Sequence, residues 1–322
     1  MKAQPKIGLV LANLGGPTGP HDARSFLRRL LSDADVVGAP WPVRPLLARW
    51  VARRRGPRVI EHLRAIGGRS PLAAETRAQV EALRAVLGPG WAVRYAFRHA
   101  EPFAADVLAG LAAEGVRRLV ALPAYPQWSR STSGSALDDL QRAADRAGLE
   151  LAAVDAFCEA EGYLAALADG VRPLLDGAEH LIVSAHGLPQ RMVAAGDPYR
   201  EQTERTAAAL IRALDCDLPW TLAFQSRLGP VEWTRPYLSD VVAELGAAGV
   251  HRLVVAPVSF VCENLETRWE LDCELVELAR AAGIAELRRA PAPGSHPAFI
   301  ATLAALARER ARAAGWEQDD GL

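Results

Sequence analysis

The chain has 322 residues, of which 50% are hydrophobic and 23% are charged, and its formal net charge is −1. This length is more than one typical hydrophobic core fills and suits two domains. The near-zero charge provides no overall field that would draw the protein to nucleic acid, so nucleic-acid partners are not expected.

The four cysteines, Cys158, Cys216, Cys262 and Cys273, are scattered and form no C-x-x-C pair. Neither a disulfide framework nor a zinc ribbon is therefore indicated, and reduced thiols in a cytoplasmic protein are expected. No run of 18 apolar residues is present, so no membrane-spanning helix is predicted. The chain also enters a strand-like run almost at once, which leaves no room for a signal peptide.

Short apolar runs alternate along the chain with segments of helical periodicity, such as residues 73–87 and 199–214. Strands that alternate with helices predict an α/β fold with parallel sheets built from right-handed crossovers. The predicted strands are residues 7–12, 92–97, 119–122, 181–184, 222–224 and 253–255.

A weak internal repeat divides the chain into two similar halves. Residues 106–123 resemble residues 240–257, residues 91–98 resemble 220–227, and the first strand resembles the strand before His186. Each long repeat has the pattern of a helix, a glycine stop and a buried strand that ends at proline. We therefore predict two α/β lobes of similar topology, an N-terminal lobe of residues 1–155 and a C-terminal lobe of residues 156–322.

The first half carries additional residues, which we place at about 34–72. Within them, residues 41–58 combine Trp41 and Trp50 with aliphatic side chains, prolines and a run of arginines. Three interpretations stay open: a lid on an apolar ligand, an interfacial membrane patch, or a helix packed on its own domain with a solvated arginine face.

Polar residues just beyond the predicted strands are the first candidates for a ligand site, since ligands of parallel α/β sheets bind at the carboxyl ends of the strands. These residues include Asn13, Tyr125, His186, Arg227 and Ser259. His186 lies between an apolar strand and Gly-Leu-Pro, where a neutral imidazole could bind a metal or accept a proton. A structural histidine is the alternative.

A row of glutamates follows the last predicted strand of the second half. If residues 262–282 form an α-helix, Glu266, Glu270 and Glu274 lie on one face at i, i+4 and i+8. A solvated face tolerates the mutual repulsion of about 0.2–0.5 kcal/mol per pair. The functional alternative is a series of oxygen ligands that passes a divalent cation to a site. Because the row begins at a strand end, the pattern favours the functional alternative.

Several common enzyme classes lack their signatures here. The glycines form neither a G-x-x-x-x-G-K-[ST] phosphate loop nor a G-x-G-x-x-G fingerprint, so a nucleotide-dependent enzyme is poorly supported. The absence of a G-x-S-x-G elbow argues against an α/β hydrolase.

Taken together, the motifs resemble those of the ferrochelatase family, in the family's order and over nearly the whole chain. The stretch L-P-A-Y-P-Q-W-S-R-S-T-S-G-S, residues 122–135, is similar to a highly specific motif of that family. The other matching segments are G-L-V-L-A-N-L-G-G-P, S-D-A-D-V-V, I-G-G-R-S-P-L, S-A-H-G-L-P with G-D-P-Y, F-Q-S-R-L-G-P-x-E-W and L-E-T-R-W-E-L-D.

The resemblance implies two Rossmann-like, chelatase-like lobes with a porphyrin cleft between them and a lip formed by residues 34–72. It implies that Fe²⁺ is inserted into protoporphyrin IX to give protohaem, the last step of haem biosynthesis. In that assignment His186 takes pyrrole protons or binds iron, Glu266 is its catalytic partner, and Glu270 and Glu274 continue a path for metal or protons. The implied substrate contacts are Tyr125, Trp233, Arg227, Ser131 and Asn13.

The chain departs from the family pattern at Asn264, two residues before Glu266, where the family commonly has histidine. A catalytically impaired porphyrin-binding or haem-delivery protein is therefore an alternative, as is a chelatase for coproporphyrin or another tetrapyrrole. Fe²⁺ is expected as substrate, no cofactor is required, and the scattered cysteines do not predict an iron–sulfur cluster. Residues 41–58 leave open peripheral contact with the inner face of the membrane, and the oligomeric state also stays open.

Overall fold

The computed structural model describes residues 7–38, 40–227 and 229–316. Ala39, in the predicted insertion, and Leu228, in the F-Q-S-R-L-G motif, lie outside these residues. Two compact units are present. Unit 1 comprises Met1–Ala124, Arg130–Ala156 and Ile300–Leu322, and unit 2 comprises Tyr125–Ser129 and Phe157–Phe299. In this division the described residues from Ile300 onward belong to unit 1, whereas the sequence analysis placed them in the C-terminal lobe.

The sheet of unit 1 has four parallel strands in the order β2-β1-β3-β4. They are β1 (Ile7–Asn13), β2 (Trp91–Phe97), β3 (Arg118–Pro123) and β4 (Glu150–Ala153). Every residue of β1 is buried, as expected for a central strand covered on both faces.

Unit 2 repeats this topology with the order β6-β5-β7-β8, again entirely parallel. Its strands are β5 (His180–His186), β6 (Trp220–Gln225), β7 (Arg252–Pro257) and β8 (Glu286–Arg289). The correspondence extends to single hydrogen bonds, since Ala124 N donates to Ala12 O and Val258 N donates to Ser184 O after the two proline-terminated strands. The predicted pair of similar α/β lobes is confirmed.

Helices flank both sheets. Those of unit 1 are α1 (Ala23–Ser32), α2 (Arg44–Ala65), α3 (Leu72–Leu87), α4 (Ala104–Ala113), a π-helix (Arg130–Gly134) and α5 (Ser135–Ala147). Those of unit 2 are α6 (Glu161–Val171), a 3₁₀ turn (Arg172–Leu174), α7 (Gln190–Ala194), α8 (Tyr199–Leu214), α9 (Leu238–Ala247), a π-helix (Glu266–Glu274) and α10 (Leu275–Ala281). The last helix, α11 (Pro297–Ala313), runs from the end of unit 2 into unit 1.

Residues 262–282 were predicted as one α-helix, but they contain two helical segments of different kinds. The first is the π-helix Glu266–Glu274, in which Leu275 N donates to Glu270 O, and only the second, α10, is α-helical. The hydrogen bonds of a π-helix join residues i and i+5, and such segments are frequent at functional sites. Leu271 and Leu275 pack into the core of unit 2 with Ile182 and Val255, which holds the π-helix against the sheet.

Helix α2 packs on α1 through a row of small buried residues, Ala48, Ala52 and Gly56. An added Cβ at Gly56 would lie 2.6 Å from Arg24 Cγ, which shows how closely α1 approaches. The opposite side leaves large apolar side chains exposed, among them Trp50. Within the described ranges, no helix has the length and hydropathy that crossing a membrane requires.

Candidate active site

His186 is the last residue of β5, and its backbone is held from two sides. Its N–H donates to Ser259 Oγ at 2.8 Å, and its carbonyl accepts a hydrogen bond from Tyr199 Oη at 2.8 Å. Ser259 follows β7 and Tyr199 begins α8, so three elements position one residue. Burial raises the pKa of Tyr199, which keeps its phenol protonated as a donor.

The tautomer of the His186 ring follows from its own contact. Nδ1 lies 2.6 Å from the carbonyl oxygen of Gly187. Because a carbonyl oxygen only accepts hydrogen bonds, Nδ1 must carry the proton. In the neutral ring, Nε2 is then left with a free lone pair, which can take up a proton or coordinate a metal ion.

Two aromatic rings border this imidazole. The ring of Trp233 lies 6.3 Å from it between centroids, with a 61° interplanar angle, and the ring of Phe260 lies 6.2 Å away at 80°. Both present the edge-to-face arrangement that aromatic pairs favour. Gly187 is required here, since an added Cβ would lie 2.8 Å from Gln225 O and 3.3 Å from Trp233 Cε3.

Glu270 is bound to the end of β6. Its Oε2 accepts hydrogen bonds from Gln225 Nε2, at 3.1 Å, and from Ser226 Oγ. Gln225 Oε1 in turn accepts from Ser184 Oγ of β5 at 2.9 Å, so the carboxylate is connected to the edge strand β6 and to its neighbour β5. The side chain of Glu270 is part-buried in this network.

Burial and the neighbouring charge of Glu266 raise the pKa of Glu270 above its usual range, against the opposing effects of Ser226, His186 and Gln225. Glu270 therefore interacts electrostatically with both predicted catalytic residues. The structure brings the imidazole and these two carboxylates together in unit 2. A carboxyl group with a raised pKa is suited to receiving a proton.

Glu274, the last residue of the glutamate row, and the nearby Glu263 have surroundings that differ from those of Glu270. Glu274 is exposed at the end of the π-helix. Glu263 instead forms an ion pair with Arg289 at 2.8 Å, and although burial opposes ionisation, the hydrogen bonds from Arg289 and Thr267 hold the pKa of Glu263 below its usual range. Glu263 therefore anchors the segment and differs from Glu266 and Glu270.

Asn264 is buried and caps the π-helix. Its side-chain oxygen accepts a hydrogen bond from Thr267 N at 2.8 Å, and its own N–H donates to Thr267 Oγ1 at 3.0 Å. This reciprocal pair has the geometry of a capping box, in which each side chain satisfies a backbone N–H of the other residue. The residue that departs from the family pattern therefore fixes the start of the segment that carries Glu266.

The predicted substrate contacts divide between the two units. Tyr125, Trp233 and Arg227 belong to unit 2, where Arg227 is exposed and its guanidinium lies 4.7 Å from the centre of the Tyr237 ring. Asn13 and Ser131 belong to unit 1.

Asn13 is buried at the end of β1, where its Nδ2 donates to Thr76 Oγ1 at 3.4 Å, and Ser131 lies in the π-helix Arg130–Gly134. Among the described residues, no group of three or more His, Cys, Asp and Glu side chains is arranged to hold a metal ion.

Three further residues contact the site residues: Gln225, Ser226 and Phe260. They belong to strand-end segments that the sequence predicts to cluster, but no specific role was predicted for them. Their position just beyond β6 and β7 was a usable signal, because the carboxyl ends of neighbouring parallel strands meet at one edge of a sheet. Position alone does not show which carboxylate a strand-end amide binds.

A model of the Ferrochelatase family matches residues 6–311 of the chain. The ferrochelatase of Nostoc sp. (strain PCC 7120) is 41% identical over 316 residues, which cover 94% of this chain and 81% of the relative. The ferrochelatase of Trichodesmium erythraeum is 38% identical over 331 residues, which cover 98% of this chain and 86% of the relative.

Solved structures show the same fold at low sequence identity. The sirohydrochlorin chelatase SirB from Bacillus subtilis in complex with cobalt gives a TM-score of 0.58 at 12% identity, covering 95% of this chain and 96% of that one. CbiX, described as the terminal enzyme of sirohaem biosynthesis in denitrifying bacteria, gives 0.52 at 17% identity, covering 94% and 98%. At these sequence identities, both similarities show a shared backbone fold alone.

Proposed function

The chain belongs to the ferrochelatase family and is a metal-inserting chelatase, and we propose that it inserts Fe²⁺ into protoporphyrin IX to give protohaem, the last step of haem biosynthesis. The observation that carries the proposal is the hydrogen bond from His186 Nδ1 to Gly187 O, which leaves Nε2 as a free base at the end of β5.

The reaction exchanges two pyrrole protons for one Fe²⁺ ion, so two protons must leave the ring as the metal enters. In our proposal His186 Nε2 accepts one of them and becomes an imidazolium, and Glu266 accepts the other. Glu270, whose pKa is raised by burial and by Glu266, receives protons from this pair and releases them toward solvent. Glu274, which is exposed, is the outer end of this path.

The same residues supply weak ligands for the incoming metal. Carboxylate oxygens and one imidazole nitrogen can hold Fe²⁺ before it is transferred, and four pyrrole nitrogens hold it more tightly afterwards. A complete protein cage would retain the ion, whereas one imidazole and one or two carboxylates release it. His186 and Glu266 therefore combine proton removal with metal delivery in this proposal.

Metal insertion also requires that the flat macrocycle be distorted, so that nitrogen lone pairs leave the ring plane. The aromatic side chains of Trp233 and Phe260, which flank His186, would form part of the wall that holds the distorted ring. Tyr125, Arg227, Ser131 and Asn13 stay the other proposed contacts.

Anaerobic metallation followed by absorbance tests the proposal. Purified protein should convert protoporphyrin IX and Fe²⁺ to haem faster than it converts coproporphyrin, and faster with Fe²⁺ than with Co²⁺. A preference for coproporphyrin would replace the proposed substrate, and a preference for Co²⁺ with a hydroporphyrin would assign another chelatase reaction.

Asn264 motivated the alternative of a protein that binds porphyrin without turnover. Its side chain is engaged in capping the π-helix, while His186, Glu266 and Glu270 retain the groups that accept protons. Haem formation by the purified protein would exclude the binding-only alternative, and porphyrin binding with no product under any metal would support it.

We also propose that residues 41–58 contact the surface of a membrane. Trp41 is 78% exposed, Leu46 is 65% exposed and Trp50 is 57% exposed, and arginines surround them. Tryptophan and leucine beside basic side chains are typical of interfacial segments. Flotation with phosphatidylcholine vesicles should recover the wild-type protein and should lose the Trp41→Ser, Trp50→Ser double variant; equal recovery of both would contradict the contact.

A further inference from the structure

Unit 1 contains an open cavity of about 670 Å³ that takes no part in the chemistry proposed above. It is lined by residues of α1, α2, α4 and α5 and of the segment between β2 and α4. Six arginines contribute to this lining: Arg28, Arg29, Arg49, Arg98, Arg142 and Arg146.

Only two carboxylates lie in the same lining, and both are engaged. Asp33 accepts a hydrogen bond from Ser135 Oγ at 2.6 Å and pairs with Arg98 at 3.0 Å. Asp139 pairs with Arg142 at 3.4 Å. Burial and the charge of Arg98 lower the pKa of His99 to about 4, so this lining histidine is neutral at physiological pH. The lining therefore holds more positive than negative charge.

Four of the arginines have no carboxylate partner among the described residues. One of them, Arg29, donates a hydrogen bond from Nε to the carbonyl oxygen of His99 at 2.6 Å. In the described part of the chain, Arg28, Arg49 and Arg146 have no ion pair and no side-chain hydrogen bond. Arginine does not lose its proton at neutral pH, so their mutual repulsion persists until an anion neutralises it. The oxygens of a phosphate group can accept hydrogen bonds from the planar N–H donors of these guanidinium groups.

Helix α2 connects the cavity with the exposed apolar surface. Pro45 and Arg49 line the cavity, while Leu46 and Trp50 are exposed. Each pair has i, i+4 spacing, and the two pairs are displaced by one residue, so they form adjacent stripes over the same turns of the helix. A ligand with its anionic group in the cavity would have its remainder beside Leu46 and Trp50.

We propose that this arginine-lined cavity binds the phosphate of an anionic phospholipid headgroup, with the acyl chains lying beside Leu46 and Trp50. The proposal rests on the membrane contact proposed for residues 41–58 and adds a specific lipid to it. Apolar contact alone would make binding insensitive to the headgroup, whereas the cavity predicts a preference for lipids with an exposed anionic phosphate.

Flotation with vesicles of phosphatidylcholine alone, and with added phosphatidylglycerol, tests the proposal. An Arg49→Glu, Arg146→Glu variant should bind the phosphatidylglycerol vesicles at least about tenfold more weakly than the wild type, since each basic side chain near an anionic surface contributes about 1 kcal/mol. The matched control is Arg64→Glu, Arg77→Glu, which changes the net charge equally at exposed arginines of α2 and α3 outside the cavity.

An equal loss in both double variants would show general attraction to the surface and would overturn the cavity site. Failure of the wild type to bind either vesicle would instead overturn the membrane contact itself. Glycerol 3-phosphate should compete only weakly with the vesicles for binding to the protein. If inorganic phosphate or glycerol 3-phosphate binds the wild type as tightly as the vesicles do, the lipid assignment is wrong. Loss of porphyrin affinity in the cavity variant would assign the arginines to porphyrin carboxylates and would also overturn it.

Discussion

Gln225 Nε2 donates a hydrogen bond to Glu270 Oε2 at 3.1 Å and thereby joins the end of β6 to the π-helix. Gln225 is also the register partner of His186 in the parallel pairing of β5 with β6. The strand that positions the imidazole is thus hydrogen-bonded to the strand that positions the carboxylate. Changes at either residue are expected to affect proton transfer through the other.

Replacement of His186 by alanine should lower the rate of metallation by about 10²–10⁴-fold, the usual contribution of a positioned base, and should leave porphyrin binding largely intact. Anaerobic turnover and porphyrin fluorescence titration measure the two effects. The matched control is His180→Ala, at the start of the same strand, where the ring contacts Thr221 Oγ1 at 3.0 Å. Near-normal turnover of the His186 variant would remove this residue from the mechanism.

The Glu266→Gln substitution should impair turnover severely, and the same substitution at Glu274 should have a milder effect. Both changes preserve shape and remove one negative charge from the same π-helix, so they control for each other. Glu274 is exposed, where a carboxylate is readily replaced by water. A stronger defect in Glu274→Gln than in Glu266→Gln would reverse the order that we assign along the path.

The Glu270→Gln substitution should make stability less dependent on pH. Burial and Glu266 raise the pKa of Glu270 in the folded protein, so the protonated carboxyl group stabilises the folded state. This contribution to the free energy of unfolding is fully present below the ordinary pKa of a carboxyl group and is lost as pH rises through the raised pKa. The variant should therefore have the same Tm as the wild type in acid and a higher Tm at neutral pH. Glu277→Gln, at an exposed position of α10, should show no such difference. A lower Tm of Glu270→Gln at neutral pH would contradict the expected sign.

Removal of the cap on the π-helix should be measurable as a loss of stability. Asn264→Ala should cost about 1 kcal/mol, since Thr267 N loses its side-chain acceptor. Asn264→Asp retains an acceptor oxygen and should recover most of the Tm. If the alanine and aspartate variants unfold at the same temperature as the wild type, the hydrogen bond of Asn264 contributes nothing.

A side chain at position 187 should displace the end of β6. Gly187→Ala places a Cβ 2.8 Å from the backbone oxygen of Gln225, so we expect a destabilisation of about 1–3 kcal/mol together with reduced turnover. Gly110→Ala is the matched control, since a Cβ there meets no atom within 4 Å and the residue lies in α4. That change should stabilise the protein by about 0.5–1 kcal/mol. An unchanged Tm for Gly187→Ala would show that the end of β6 moves aside with no loss of stability.

The six strands predicted from apolar runs are all present, and α8 has the predicted bounds. The two short strands β4 and β8 were not predicted. Their sequences, Glu-Leu-Ala-Ala and Glu-Leu-Arg-Arg, are only four residues long and show no alternation of apolar and polar residues. They are strands because β3 and β7 offer them hydrogen-bond partners, and such edge pairing depends on neighbours distant in sequence.

The sequence by itself determined the α/β alternation, the repeated lobes and the chemical groups of the candidate site, because periodicity and residue type are local properties of the chain. Only the tertiary structure decided which nitrogen of His186 is free and which strand-end amide binds Glu270. It also decided that the segment of the glutamate row begins as a π-helix, because packing of Leu271 and Leu275 on the sheet acts on that segment from outside. Hydrogen bonds between residues far apart in sequence depend on the folded arrangement, and no local pattern encodes them.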